Sequence, residues 1–304
     1  MGFGHSYAPS GPNASGRDTH ALLLVLCLTL AYTAAEVVGG LLTGSLALLA
    51  DAGHMLSDSG SIGLALVAIS LAKRPPTSAR SFGLKRAEIL AALANGVTLV
   101  AIAIWVLVEA ARRMSDPPEI LGGWMLAIAA GGIAINVAGA AILARAERRS
   151  LNVQAAMLHV LADLLGSVGV IVAAVVILVT GWAYADPLVS VMIGVLVLGS
   201  SLRVLQDSVS ILLEATPKGI DADAVRQTIE SSSGVASVHD LHIWTITSGF
   251  PALSAHVLVG RGEDCHRRRR ELEQLLEHEY GIDHTTLQVD HENEELLHIR
   301  RDAE

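Results

Sequence analysis

The sequence predicts a membrane bundle of six α-helices followed by a C-terminal α+β domain of element order αββαβ. Three observations carry this expectation. Hydrophobic residues make up 52% of the 304 and charged residues only 17%, against about 25% charge in an ordinary soluble chain. The charges are unevenly divided. Residues 1–213 hold 12 Lys+Arg against 12 Asp+Glu, whereas residues 214–304 hold 9 against 18, so a neutral apolar unit precedes an acidic polar one. Finally, six stretches each reach the roughly 20 apolar residues that a helix needs to cross a bilayer core.

Residues 1–20 are polar and rich in Gly, Ser and Pro. They read as a disordered N-terminal arm and not as a cleaved signal peptide, because the apolar run that follows is too long. The spans are expected at about 21–43, 47–72, 87–111, 121–145, 153–181 and 187–206, within a transmembrane domain of residues 21–213. Polar breaks separate them: Thr43-Gly44-Ser45, the basic stretch from Lys73 to Arg86, Ser115-Asp116-Pro117-Pro118, Arg145 to Asn152, and Gly181 to Pro187. The loop after the second span carries Lys73, Arg74, Arg80, Lys85 and Arg86, and the loop after the fourth carries Arg145, Arg148 and Arg149. The loops after spans one and five have neither Lys nor Arg. Positive loops stay inside, so both termini are expected in the cytoplasm.

The tail, residues 214–304, changes character. A helix is expected over Asp221 to Ser231 and a strand from Val238 to Ile246. A turn at Ser248-Gly249-Phe250-Pro251 leads to a second strand ending near Val259. A helix from Cys265 to Tyr280 and a strand from Thr285 to Asp290 complete one three-stranded sheet backed by two helices. The run Arg267 to Arg270 precedes Glu271, Glu273 and Glu277, the pattern of an exposed helix face with ion pairs four apart. A net acidic tail argues against nucleic acid as a partner. Cys27 and Cys265 lie in different units, which gives no reason to expect a disulfide.

An ionisable side chain deep in a membrane helix is expensive, and each one needs a reason. The second span holds Asp51, His54 and Asp58 on one helical face, and the fifth holds His159 and Asp163. The shared element is His-x-x-x-Asp, as His54-Met-Leu-Ser-Asp58 and as His159-Val-Leu-Ala-Asp163. Two imidazoles and two carboxylates make the four N/O ligands of a tetrahedral Zn²⁺ site. The dication offsets two carboxylates that could not both stay ionised alone. Protons replace it when it leaves, so exchange of metal for H⁺ is the natural cycle. One His–Asp pair would equally be a hydrogen-bonded helix contact; two matched pairs on different spans favour the metal. Asp51 reads as a supporting residue or as a group near the outer interface. Glu36, Asn95 and Asn136 line an aqueous path or bond between helices.

With these residues in view, the chain resembles the cation diffusion facilitator family, near its zinc-exporting branch. The resemblance rests on the segment from Gly44 to Asp58 (GSLALLADAGHMLSD), on Ser81 to Asn95 (SFGLKRAEILAALAN), on His159-Val-Leu-Ala-Asp163 and on His239-Asp-Leu-His-Ile-Trp244. It implies an integral protein of the plasma (inner) membrane whose six-helix domain is joined to a cytoplasmic, metallochaperone-like (ferredoxin-like) domain. It also implies a homodimer in the lipid bilayer that exchanges Zn²⁺ for H⁺ through His54, Asp58, His159 and Asp163. A regulatory Zn²⁺ site in the tail would draw on His239, His256 and Asp290, with His291 and His242 as further candidates. One family ligand position is Gln288 here, a poor zinc ligand, and solvated histidines are the competing reading. Arg80 and Leu84 stand where some members have loop histidines, and Arg145 to Ser150 stands where many have a His-rich loop, so neither accessory site is expected.

Two other functions are open to the same ligands. A membrane metalloenzyme would need an open coordination position and a separate base, and no HExxH element is present. A membrane-anchored metal sensor would leave four ionisable groups inside two spans unexplained. An ATP-driven pump is disfavoured because the chain has no Walker-type loop.

Overall fold

In the computed structural model, residues 16–72, 74–144 and 151–292 are described. The first six helices are α1 Gly16–Thr43, α2 Leu46–Ala72, α3 Ala87–Arg113, α4 Gly122–Ala144, α5 Leu151–Thr180 and α6 Ala185–Leu212. Among the described residues, five of them contain stretches long and apolar enough to cross a membrane, and the described apolar stretch of α2 is Leu46–Ser57.

Two helix ends differ from the expected ones. Helix α1 is already helical at Gly16, the first described residue, so residues 16–20 of the expected arm are helical; residues 1–15 lie outside the described residues. Helix α6 runs on to Leu212 past Arg203 and Asp207. Both differences have one cause. The apolar stretch ends where charges begin, but backbone hydrogen bonding carries a helix past that point.

The membrane unit is inside out relative to a soluble protein. Its buried core is built largely from small and branched residues, among them Leu46, Ala103, Ala110, Ala129, Val170 and Ala174. Large apolar side chains face outward, with Val179 at 78% and Leu165 at 73% exposure, as lipid contact requires. Small residues set the close approaches. At Gly39 and Gly132 any Cβ would collide with Ile128 and Tyr32, respectively, which seats α1 tightly on α4.

The division into two compact units falls at Ser208/Val209, inside α6. The second unit has the order α7 (Ala222–Glu230), β1 (Val235–Thr247), β2 (Phe250–Val259), α8 (Cys265–Tyr280), β3 (His284–His291). This is the expected αββαβ fold. β1 and β2 are antiparallel, β2 and β3 parallel, and the sheet order is β1-β2-β3. Parallel pairing needs a crossover, and α8 supplies it. Both helices start on an aspartate cap: Asp221 accepts from the backbone N–H groups of Asp223 and Ala224, and Asp264 from those of His266 and Arg267. Helix α8 ends at Gly281, whose φ of 66° is the left-handed stop that a residue without Cβ takes freely. Val225 and Ile229 of α7 and Leu272 and Leu276 of α8 bury against Val238, Leu253, Val257 and Leu287 of the sheet.

Candidate metal centre

Helices α2 and α5 pack against each other. The His-x-x-x-Asp elements lie on these two helices, His54 and Asp58 on α2, His159 and Asp163 on α5. The side chains of Asp58 and His159 lie outside the described residues. Of the other two, Asp163 is buried at 3% exposure and His54 is half-buried.

Asp51 sits one turn from His54, and it is fully inside the protein, with 2% exposure. Its carboxylate has Asp163 and His54 among its ionisable neighbours and Glu36 within hydrogen-bonding reach. Glu36 on α1 is itself 1% exposed and accepts a 2.6 Å hydrogen bond from the Tyr32 hydroxyl, which also reaches the Ile128 carbonyl of α4 at 3.2 Å. Three helices thus bring Glu36, Asp51 and Asp163 into one buried cluster. Such a cluster demands compensating positive charge, as protons or as a dication. Neither Tyr32 nor Gly166, the α5 glycine that lies against the Asp51 carboxylate, carries a signal in the sequence. Glycines and tyrosines are common in apolar helices, and only the packing shows which ones meet a carboxylate.

The remaining polar groups divide. Asn95 bonds between helices, its Oδ1 accepting from the Ser57 hydroxyl at 2.8 Å. Asn136 is buried on α4 and its amide nitrogen has no hydrogen-bond partner among the described residues. Asp186, part of an expected polar break, turns out to hold the start of α2. Its carboxylate accepts from the Ser45 hydroxyl at 2.5 Å and from the N–H groups of Leu46 at 2.9 Å and Ala47 at 3.2 Å.

A second cluster lies on the αββαβ unit. His239 on β1 pairs with His256 on β2, and their rings meet edge-on, centroids 5.1 Å apart. Asp240 joins them: its Oδ2 is 3.3 Å from His239 Nδ1 and 3.7 Å from His256 Nδ1. One ligand atom from each of the three residues falls within 4.8 Å of the others. The other expected members are not in this group. Asp290 accepts a 2.7 Å hydrogen bond from the Gln288 amide. His291 turns toward Cys265 Sγ, 3.7 Å away, and the Glu263 carbonyl at 2.9 Å. His242 is exposed further along β1.

Comparison with known families decides the assignment. Residues 22–213 match the cation efflux transmembrane domain, and residues 217–292 match the cytoplasmic domain of cation efflux proteins. The chain belongs to the cation diffusion facilitator family. Among related facilitators, the cadmium, cobalt and zinc/H⁺-K⁺ antiporter of Bacillus velezensis is 43% identical over 295 residues, covering 95% of this chain and 92% of the relative. The zinc transporter ZitB of Escherichia coli is 40% identical over 294 residues, covering 96% and 93%. Among solved structures, the metal-bound C-terminal domain of the CzcD transporter from Cupriavidus metallidurans is 37% identical, with a TM-score of 0.22, and covers 23% of this chain and 97% of that one.

Arg80 closes a tight turn with Thr77 through paired backbone hydrogen bonds of 3.1 and 2.9 Å. Residues 145–150, expected to carry no metal-capturing loop, lie outside the described residues.

Proposed function

We propose that this facilitator exports Zn²⁺ from the cytoplasm in exchange for H⁺, using His54, Asp58, His159 and Asp163 as a tetrahedral intramembrane site. The observation that carries the proposal is the repeated His-x-x-x-Asp element on two helices in contact, with the buried Asp163 and His54 both neighbours of the Asp51 carboxylate. Relatives named as zinc transporters and as metal/H⁺ antiporters support the same reading.

The chemistry follows from the ligands. Zn²⁺ takes neutral imidazoles and ionised carboxylates, so each binding event displaces protons and each release invites them back. Coupling needs no separate proton channel, since one set of side chains serves both ions in turn. Glu36 and Asp51 extend the negative cluster toward α1 and give the leaving dication a polar neighbour. Four protein ligands leave no open position for catalysis, so the function is transport and not metalloenzyme chemistry or sensing alone. We further propose that the protein sits in the plasma (inner) membrane with both termini cytoplasmic, and that it works as a homodimer through its cytoplasmic domain.

The test is Zn²⁺ uptake into proteoliposomes with and without a pH gradient. Asp58→Ala and Asp163→Ala are each expected to abolish flux while the protein stays folded and dimeric. Unchanged flux in both variants, or flux indifferent to the gradient, would overturn the proposal.

A further inference from the structure

We propose that Glu36, Asp51 and Ser167 form a second cation station, one helical turn outward of the four-ligand site, through which the dication passes after its release. The proposal rests on the transport reading for the direction of travel, and on its own geometry for the site.

Axial position is the starting point. Asp51 precedes His54 by three residues on α2, about 4.5 Å along the helix axis. Gly166 and Ser167 follow Asp163 by three and four residues on α5, which puts all three on one face. The Asp51 carboxylate lies against Gly166. These residues therefore share one level of the bundle, displaced from His54 and Asp163 toward the start of α2. Glu36 reaches that level from α1, within hydrogen-bonding distance of Asp51. The orientation proposed above places the start of α2 at the outer face.

Unengaged oxygen marks this level as a site. Among the described residues, Glu36 Oε2, Asp51 Oδ2 and Ser167 Oγ are buried without a hydrogen-bond partner. The three residues are 1%, 2% and 1% exposed. Tyr32 serves the other oxygen of Glu36, Oε1, and leaves Oε2 without a donor. A contact built only to hold helices together would bring donors to such atoms, because a buried acceptor left open is costly. One proton shared by the two carboxyls would still leave a negative charge in the interior. A dication cancels both.

The ligand atoms are all oxygen, a set that suits hard cations such as Mn²⁺, whereas Zn²⁺ gains from imidazole. The station therefore holds Zn²⁺ less tightly than two imidazoles and two carboxylates do. That is what a transit site needs, since an ion must be bound well enough to enter and weakly enough to leave. Asp163 neighbours Asp51 and belongs to the proposed tetrahedral set. The ion thus moves outward by exchanging ligands around one carboxylate, without crossing a stretch of bare hydrocarbon.

The experiment uses the full chain and two readouts. In lipid nanodiscs, Mn²⁺ binding is followed by electron paramagnetic resonance on a His54→Ala/His159→Ala background, which removes the nitrogen ligands. Glu36→Gln should weaken that binding about tenfold or more, and Ser167→Ala should weaken it less. Gln still accepts from Tyr32, so the fold is kept, and the melting temperature verifies it. In proteoliposomes with both histidines intact, Glu36→Gln should lower the maximal Zn²⁺ rate about tenfold while the half-saturating Zn²⁺ concentration stays put, because loading uses the other four ligands. Glu36→Asp should recover part of the rate. Mn²⁺ binding indifferent to Glu36→Gln would overturn the proposal. So would a Glu36→Gln chain that moves Zn²⁺ at the full rate but no longer responds to the pH gradient, the mark of a proton site only. Absence of Zn²⁺/H⁺ exchange in the unaltered chain would instead sink the transport reading, and the Mn²⁺ measurement judges the station separately.

Discussion

The Asp51 carboxylate lies against Gly166, so close that a Cβ at residue 166 would stand 2.9 Å from Asp51 Oδ1. Helix α5 can approach α2 at this level only because residue 166 has no side chain. The contact is one turn from both His54 and Asp163, and it sets the spacing of the two helices that carry the proposed transport ligands. Gly166→Val is therefore expected to push Asp51 out of the cluster. Overpacking of this kind destabilises by about 1–3 kcal/mol, and Zn²⁺ flux should fall far more than membrane insertion does. Thermal melting in detergent and proteoliposome flux, compared for Gly166→Ala and Gly166→Val, measure the two effects. Wild-type values for both variants would mean the helices do not meet there.

Tyr32 is the hydroxyl that anchors Glu36. Tyr32→Phe removes the 2.6 Å hydrogen bond and leaves a buried carboxyl short of a donor, which costs about 1–3 kcal/mol. The expected outcome is a lower melting temperature and slower flux. Replacing Glu36 itself with Gln in the Tyr32→Phe background should recover stability without recovering flux. Equal stability of Tyr32→Phe and wild type would show that the bond contributes nothing.

Asp186→Ala tests the start of α2. The carboxylate satisfies two backbone N–H groups that no turn of helix precedes. Without it, each buried N–H left unpaired costs about 1–3 kcal/mol. Arg113, which bonds the Gly44 carbonyl at 2.5 Å in the same turn, cannot substitute because it is a donor. Asp186→Asn retains an acceptor and should lose less. Urea or heat denaturation of the three proteins ranks them, and a reversed order of Asn and Ala would refute the capping role.

The cytoplasmic domain should weaken in acid. Backbone hydrogen bonds from Arg267 and His266 hold the Asp264 carboxyl below its ordinary value. The side-chain hydrogen bond from Arg267 does the same for Glu271, and that from Arg268 for Glu263. A folded-state value below the unfolded one, which lies at about 4, gives stability that is fully present above it. That stability is lost as pH falls through the lower folded value. Calorimetry of the full chain should show the domain's transition dropping in temperature below about pH 4, with a shallower slope in Asp264→Asn. A pH-independent transition would contradict this.

The two candidate metal clusters were legible to different degrees. The His-x-x-x-Asp repeat stands out because an ionisable group amid apolar residues is costly wherever the helices go, so its chemistry can be read before its geometry. The tail cluster was half legible. His239 and His256 follow from strand positions, but Asp240 does not, since strand alternation assigns it to the wrong face. Only the register shift between His239 and His242 reverses that. Likewise, Asp290 and His291 sit at the end of β3 as expected, yet neighbouring Gln288, Cys265 and Glu263 engage them first.

By itself, the sequence determined the spans, the order of the tail elements and the residues able to hold a metal. Each of these depends on local quantities: apolar length against bilayer thickness, caps and turn residues, and the desolvation penalty of a buried charge. The tertiary structure alone decided that Asp51 meets Gly166, that Asp186 caps a helix whose start lies some 140 residues earlier in the chain, and that Asp240 joins two histidines. Those contacts unite distant segments, and their energies depend on which backbones approach closely enough to touch. No local pattern encodes that distance.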